Sequence, residues 1–146
     1  MSILFTDTIT VYNYHRDPET EQETWIRSII KGVQWRHNKS VITISGNVQT
    51  ESKIESITID FQRNYGNKPY ISPVEFLKLT ADQAEQYWTL NNNGQDMIVL
   101  GVSDKDITSE YRISALHKDF QYAVAVTEVS DNRSRPRLKN IKAVGK

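Results

Sequence analysis

The chain has no cysteine. That excludes a disulfide framework and every thiolate metal site, and it fits a reducing compartment. Glycine and proline are scarce, at 6 and 4 of 146 residues, and no glycine-rich loop able to cradle a phosphate is present. No apolar window approaches the length of a membrane span. No internal repeat or low-complexity tract divides the sequence. The opening residues, Met1-Ser2-Ile3-Leu4-Phe5-Thr6-Asp7, have neither the basic region nor the apolar core of a signal peptide. Neither sign of charge is in excess: 18 basic and 18 acidic residues give a net charge of zero. That weighs against broad electrostatic capture of nucleic acid or of an anionic membrane.

What is present is an ordinary globular composition, 38% hydrophobic and 25% charged, long enough for one compact domain over 1–146 with a real core. Residues 7–14 alternate, with Ile9 and Val11 on one face and Thr8, Thr10, Tyr12 and Tyr14 on the other. This is an antiparallel strand pattern. Pro18 marks a turn, and residues 23–30 return as a second strand. Gly32 interrupts that run before Val33-Gln34-Trp35, which predicts a bulge or a barrel corner. Short strands are expected at 41–44 and within 48–61. Ser72-Pro73-Val74-Glu75 is a helix start, with serine as cap, proline in the first turn and Glu75 as the capping-box acid. That helix should end near Leu79 or Thr80, with a second helical turn over 80–86. Asn93-Gly94 between residues 87–90 and 97–101 predicts a hairpin. Residues 108–120 read as a helix with Ile113 and Leu116 inward, or as strand in the first half.

The last stretch carries the strongest pattern. Tyr122, Val124, Val126 and Glu128 share one face of a strand, and Ala123, Ala125, Thr127 and Val129 share the other. A polar turn, a basic segment and a closing strand over 141–146 follow. Apolar alternation this close to the end predicts a terminal segment held in a sheet or docked on a neighbour. Many short strands separated by turn signals make the fold mainly β with a minor helical component. The expected form is a small antiparallel β-barrel or sandwich with one or two short helices and an ordered C-terminal strand.

Chemistry-bearing patterns are thin. His15, His37 and His117 stand far apart, each beside lysine or arginine and without a second ligand at metal spacing, so surface or loop roles are expected. His15-Arg16-Asp17 spells a kinase tripeptide without the glycine-rich loop or the downstream Asn that would support it. Asp104-Lys105-Asp106 lacks the glycine and closing glutamate of a calcium loop. Glu51 and Glu55 fall in strand-like sequence and are read as facing water. Nothing marks an acid–base pair, so the chain reads as a non-enzyme with no catalytic residue, metal or cofactor. Trp25, Trp35 and Trp88 with seven tyrosines fit either core packing and interface anchoring or a stacking platform for single-stranded nucleic acid. The first is favoured, because no basic groove accompanies them. Charge is unevenly placed, however. Asp17, Glu19, Glu21 and Glu23 make one end acidic, and Arg133, Arg135, Arg137 and Lys139, with Lys142 and Lys146, make the other basic. Two solvated loops would account for this; so would a charge-complementary contact between copies in a ring.

The ordered set of features resembles small structural proteins of tailed bacteriophages: the minor capsid, head–tail connector or head-closure family. The features are the opening strand Thr8-Ile9-Thr10-Val11-Tyr12-Asn13 with its Asp17-Pro18 turn, and the strand ending Lys31-Gly32-Val33-Gln34-Trp35. The turn-bearing Gly94-Gln95-Asp96-Met97-Ile98-Val99-Leu100-Gly101 departs from the family pattern by Gln95 between the glycine and Asp96. Ser130-Asp131-Asn132-Arg133 and the terminal Lys142-Ala143-Val144-Gly145-Lys146 complete the set. Residues 38–65 carry no part of it. The resemblance implies a β-barrel subunit of a homo-oligomeric ring in the virion neck, assembled in the host bacterial cytoplasm. Its partners would be the portal or adaptor protein and a tail completion protein, with contact to packaged DNA in the channel and none to a membrane. Contact residues would be Arg133, Arg135, Arg137 and Lys139 on one side and Asp17, Glu19, Glu21 and Glu23 on the other. A loop closing the channel would fall at 45–55 or 63–68. The alternatives are a tail completion or tail tube/terminator subunit and, from another class, a single-strand nucleic-acid-binding barrel.

Overall fold

A computed structural model describes residues 7–37, 41–46, 48–52, 55–60, 68–92, 95–108, 110–120, 122–131 and 140–145. Its eight strands are β1 (Asp7–Arg16), β2 (Glu23–His37), β3 (Val41–Ser45), β4 (Val48–Ser52), β5 (Glu55–Asp60), β6 (Met97–Leu100), β7 (Ala123–Asp131) and β8 (Asn140–Gly145). Six of them close a barrel in the order β1-β2-β5-β8-β7-β6, every pair antiparallel. The expected barrel is therefore present, and closure leaves it without a free sheet edge at its seam. β8 is held between β5 and β7, so the terminal pattern is a sheet strand.

The barrel interior is apolar. Ile9 and Val11 from β1 meet Ile30, Val33 and Trp35 from β2, Ile57 and Ile59 from β5, Ile98 from β6, Val124 and Val126 from β7, and Ile141 and Ala143 from β8. Ile30 and Val33 lie three residues apart yet share this interior. Strict alternation forbids that, and the extra residue is absorbed at Gly32, where φ is +72° and the β1–β2 register shifts. The bulge read from Gly32 is thus present, and glycine adopts its left-handed conformation without a Cβ clash.

A second bulge was not legible. The β7–β8 register shifts between Val126 and Glu128, so Val129 packs against the interior rather than on the face of Ala123 and Ala125. The even alternation expected through 122–129 holds only as far as Val126.

Segment 68–92 fills one end of the barrel. Trp88 and Leu90 enter the interior cluster, and the Trp88 Nε1–H donates to the Lys68 carbonyl at 3.1 Å. Residues 87–90 do not pair with β6, which corrects the expected hairpin. β6 pairs with β1 and β7, while Trp88 forms a lone parallel bridge with Tyr70. The Asn13 side chain explains the difference. Its Nδ2 donates to the Thr89 carbonyl at 2.5 Å and its Oδ1 accepts from the Thr89 N–H at 3.2 Å, so one side-chain amide takes the place of a ladder partner.

Two short helices follow within this segment, α1 (Pro73–Leu77) and α2 (Ala81–Ala84). Ser72 caps α1 as expected, accepting from the Glu75 N–H. The reciprocal capping box is formed at α2 by Thr80 and Gln83. Phe76 and Ala84 pack with Ile26. Segment 101–120 crosses the outer face of β1 and β6. It ends in a 3₁₀ turn (Ile113–Ala115) and α3 (Leu116–Asp119), a shorter helix than 108–120. Leu116 is buried against Tyr12, Met97 and Val99, and Ile113 packs there partly covered. This strap explains why Thr10 and Tyr12, polar on the sequence pattern, are fully buried. The Thr10 hydroxyl donates to the Gly101 carbonyl and accepts from the Ser103 N–H, each at 2.9 Å, and the Tyr12 hydroxyl lies 2.6 Å from Ser103 Oγ and from the Lys105 carbonyl.

Candidate functional site

The acidic end is the β1–β2 turn, and it divides into one inward and three outward carboxylates. Asp17 is 7% exposed. Its Oδ1 accepts from the backbone N–H groups of Glu19 and Thr20 at 2.8 and 3.2 Å, and its Oδ2 accepts from the Ala81 N–H at 3.0 Å. Those three N–H donors, Ala81 first, hold its carboxyl below the usual aspartate value. Asp17 therefore shapes the turn and anchors the start of α2, and little of it is exposed to a partner. Glu19, Glu21 and Glu23 are exposed. Glu21 has a φ of +61°, and Arg16 pairs with it at 3.4 Å on the open surface. Such an exposed pair contributes little. The turn therefore presents a compact acidic tip on a rigid base.

Arg133, Arg135, Arg137 and Lys139 lie outside the described residues, between β7 and β8. The structure does fix where their connection starts and ends, because Asp131 pairs with Ile141.

The feature the sequence did not yield is an arm. β2 and β5 are joined through β3 and β4, which pair only with each other in a separate two-stranded sheet. Ladder partners run from Val33↔Ile59 to His37↔Glu55 in the barrel, then from Val41↔Ser52 to Ser45↔Val48 in the hairpin. The two ladders follow one another in the sequence, and the five pairs of the hairpin span roughly 17 Å. Gly46, with φ +60°, sits in its turn. Of the two loops expected to close a channel, 45–55 maps onto this arm from the β3 end to the first residue of β5. Residues 63–67 lie outside the described residues, and Lys68 is half-buried with its ammonium on the Arg27 carbonyl and Ser28 Oγ at 3.1 Å.

The remaining candidates are structural. His15 is fully buried, not on the surface. Its Nε2 lies 2.8 Å from the Leu79 carbonyl, which makes that nitrogen the N–H donor, and its ring meets Phe76 edge-on at 5.3 Å. Glu55 is half-buried and accepts from the Trp35 indole N–H at 2.7 Å, so it does not simply face water. The side chains of His37, Glu51 and His117 are outside the description. Trp35 and Trp88 are buried in the interior. Among the described residues no group of three His, Asp or Glu is placed to hold a metal. No helix among them is long and apolar enough to cross a membrane. Among the described carboxylates with a resolved shift, Asp96 is pushed up to about 6 by burial. Its oxygens accept from Asn13 Nδ2, Tyr14 N–H and Asn91 N–H at 2.8–2.9 Å, which makes it a junction between β1, the plug and β6.

Fold and site together define a closed antiparallel barrel that carries a two-stranded arm and an acidic turn. Residues 4–146 match DUF6751, a family of unknown function, and the chain belongs to that family. No curated protein and no solved structure matches it.

Proposed function

We propose that this chain is a structural subunit of a tailed-phage virion, forming a homo-oligomeric ring at the head–tail neck between the portal or adaptor and the tail completion protein. The observation that carries this reading is the arm on a closed barrel. Closure lets barrels pack side by side without strand addition at an open edge. A heterologous contact that closes on itself generates a ring. In such a ring the β3–β4 hairpins are carried together, and they are the elements we assign to the channel and its DNA. The acidic tip of Glu19, Glu21 and Glu23 and the basic segment from Arg133 to Lys139 supply opposite charges for contacts within the ring or with its neighbours. With Trp35 and Trp88 in the interior, a stacking platform for single strands has lost two of its three indoles, so the nucleic-acid reading is the weaker one.

Gold-labelled antibody against the chain, applied to purified particles, tests the placement. Label at the head–tail junction supports the neck ring, and label along the tail moves the subunit to a tail completion or tube role. Absence from particles overturns the virion reading. Arg135→Glu with Arg137→Glu should leave the folded barrel's circular dichroism unchanged while stopping heads and tails from joining. Normal particle yield from that variant would remove the basic segment from the contact.

A further inference from the structure

Residues 72–87 leave the plug and return to it through a closed stem. The Ile71 N–H donates to the Trp88 carbonyl at 3.0 Å, and the Trp88 N–H to the Pro69 carbonyl at 3.2 Å. The Tyr70 ring meets Trp88 edge-on at 4.9 Å. Trp88 is fully buried in the barrel interior, and Tyr70 packs against the same cluster. The stem is therefore fixed to the barrel, and the residues between its two sides form a compact loop of the omega kind.

What lies beyond the stem is largely self-contained. Its backbone bonds stay within the loop: the Phe76 N–H donates to Ser72, Leu79 to Phe76, Ala84 to Thr80 and Tyr87 to Ala84. Phe76 and Ala84, with Leu79 and Tyr87 partly covered, gather in a cluster separate from the barrel interior, to which the barrel contributes Ile26. Hydrogen bonds from the described barrel residues reach the loop at two points, both from side chains at the β1–β2 turn. The His15 Nε2–H donates to the Leu79 carbonyl at 2.8 Å, and Asp17 Oδ2 accepts from the Ala81 N–H at 3.0 Å.

The closed position carries a cost at His15, which is fully buried. With Nε2 as the donor to Leu79, its Nδ1 is an acceptor, and that atom is buried with no partner among the described residues. A buried acceptor without a partner is destabilising, and water reaching it removes the cost. Helices of five and four residues do not persist alone. α1 and α2 therefore leave Ile26 and His15 together or not at all.

We propose that residues 72–87 are a flap that opens as one unit on the folded barrel, swinging from the fixed stem at 69–71 and 88, and that each opening uncovers His15 and Ile26. This conformational device belongs to the fold itself and holds whether or not the chain is a virion subunit.

Native-state hydrogen exchange of the whole chain, read by NMR, tests this. The Phe76, Ala81 and Ala84 amides should share one opening constant, larger by about 100-fold or more than that of the β1–β2 ladder, because local opening exposes far less surface than global unfolding. The Ile71 and Trp88 amides should group with the ladder. Ala81→Pro removes the N–H that Asp17 accepts. It does so at a first helical position whose preceding residue, Thr80 (φ −71°, ψ 166°), already has the backbone that a following proline favours. The variant should speed exchange at Phe76 and Ala84 by about tenfold, as for loss of one hydrogen bond to a charged group, and leave the ladder unchanged. Diethyl pyrocarbonate should modify His15 at a rate that rises by the same factor. The comparison of amides in the unmodified protein stands even if the variant does not fold. One opening constant for flap and ladder, exchange of Ile71 and Trp88 with the flap, or equal acceleration of every amide by Ala81→Pro overturns the proposal.

Discussion

Asn13 and Asp96 show how two side chains can substitute for a strand. Asn13 satisfies both backbone groups of Thr89 and also donates to Asp96. Asn13→Ala would leave the buried Thr89 N–H and C=O unpaired, at roughly 3 kcal/mol. Urea unfolding should show this as a lower midpoint with an unchanged slope. Asp96 and Asp17 titrate in opposite senses. The native Asp96 carboxyl sits at about 6 against 3.8 unfolded, so the folded state binds more protons between those values. Its contribution is fully present below pH 3.8 and is lost as pH rises through 6, by roughly 3 kcal/mol in all. Asp17 is held below 3.8, so its contribution is present above that value and fades as pH falls through its native one. Stability measured from pH 4.5 to 7.5 should therefore carry a falling component that Asp96→Asn removes. An identical slope in that variant would show that another group supplies it.

At the scale of elements, the departures from regularity sit where the pattern must be corrected. Gly32 and the β7 bulge each keep an apolar side chain inside a barrel that a strict period of two would have turned outward. Gly145 serves a different end. A Cβ placed there would lie 2.6 Å from the Ala125 carbonyl and 2.8 Å from Val124 Cγ2, in the strand that links β5 to β7. Gly145→Ala should cost about 1–3 kcal/mol, the usual range for forcing atoms into a packed site, and lower the thermal midpoint. Unchanged stability would mean that β8 can shift without cost. The Ser72 cap and the Gly32 bulge were readable because both are local. The pairing of 87–90 was not, because the amide that replaces the ladder comes from residue 13, 76 positions away.

For the whole molecule, the barrel and its arm are separable. β3 and β4 pair only with each other, and an isolated two-stranded hairpin adds little independent stability. Replacing 41–52 by Asn-Gly should keep the barrel's circular dichroism and move its thermal midpoint by only a few degrees, while abolishing whatever the arm does in assembly. A collapse of the fold would show that the arm packs on the barrel and has no separate role.

The residues alone were enough to specify the β-rich class, the first hairpin, the capped start of α1, the Gly32 bulge and the terminal strand. Each of these rests on neighbouring residues whose propensities agree. It also located the acidic and basic ends, since charge placement is visible in one dimension. Tertiary contacts alone settled that the six strands close, that segment 68–92 plugs the barrel, that Asp17 and His15 turn inward, and that β3 and β4 pair in a sheet of their own. Those outcomes depend on contacts between residues far apart in the chain, where burial and hydrogen-bond satisfaction override the local pattern.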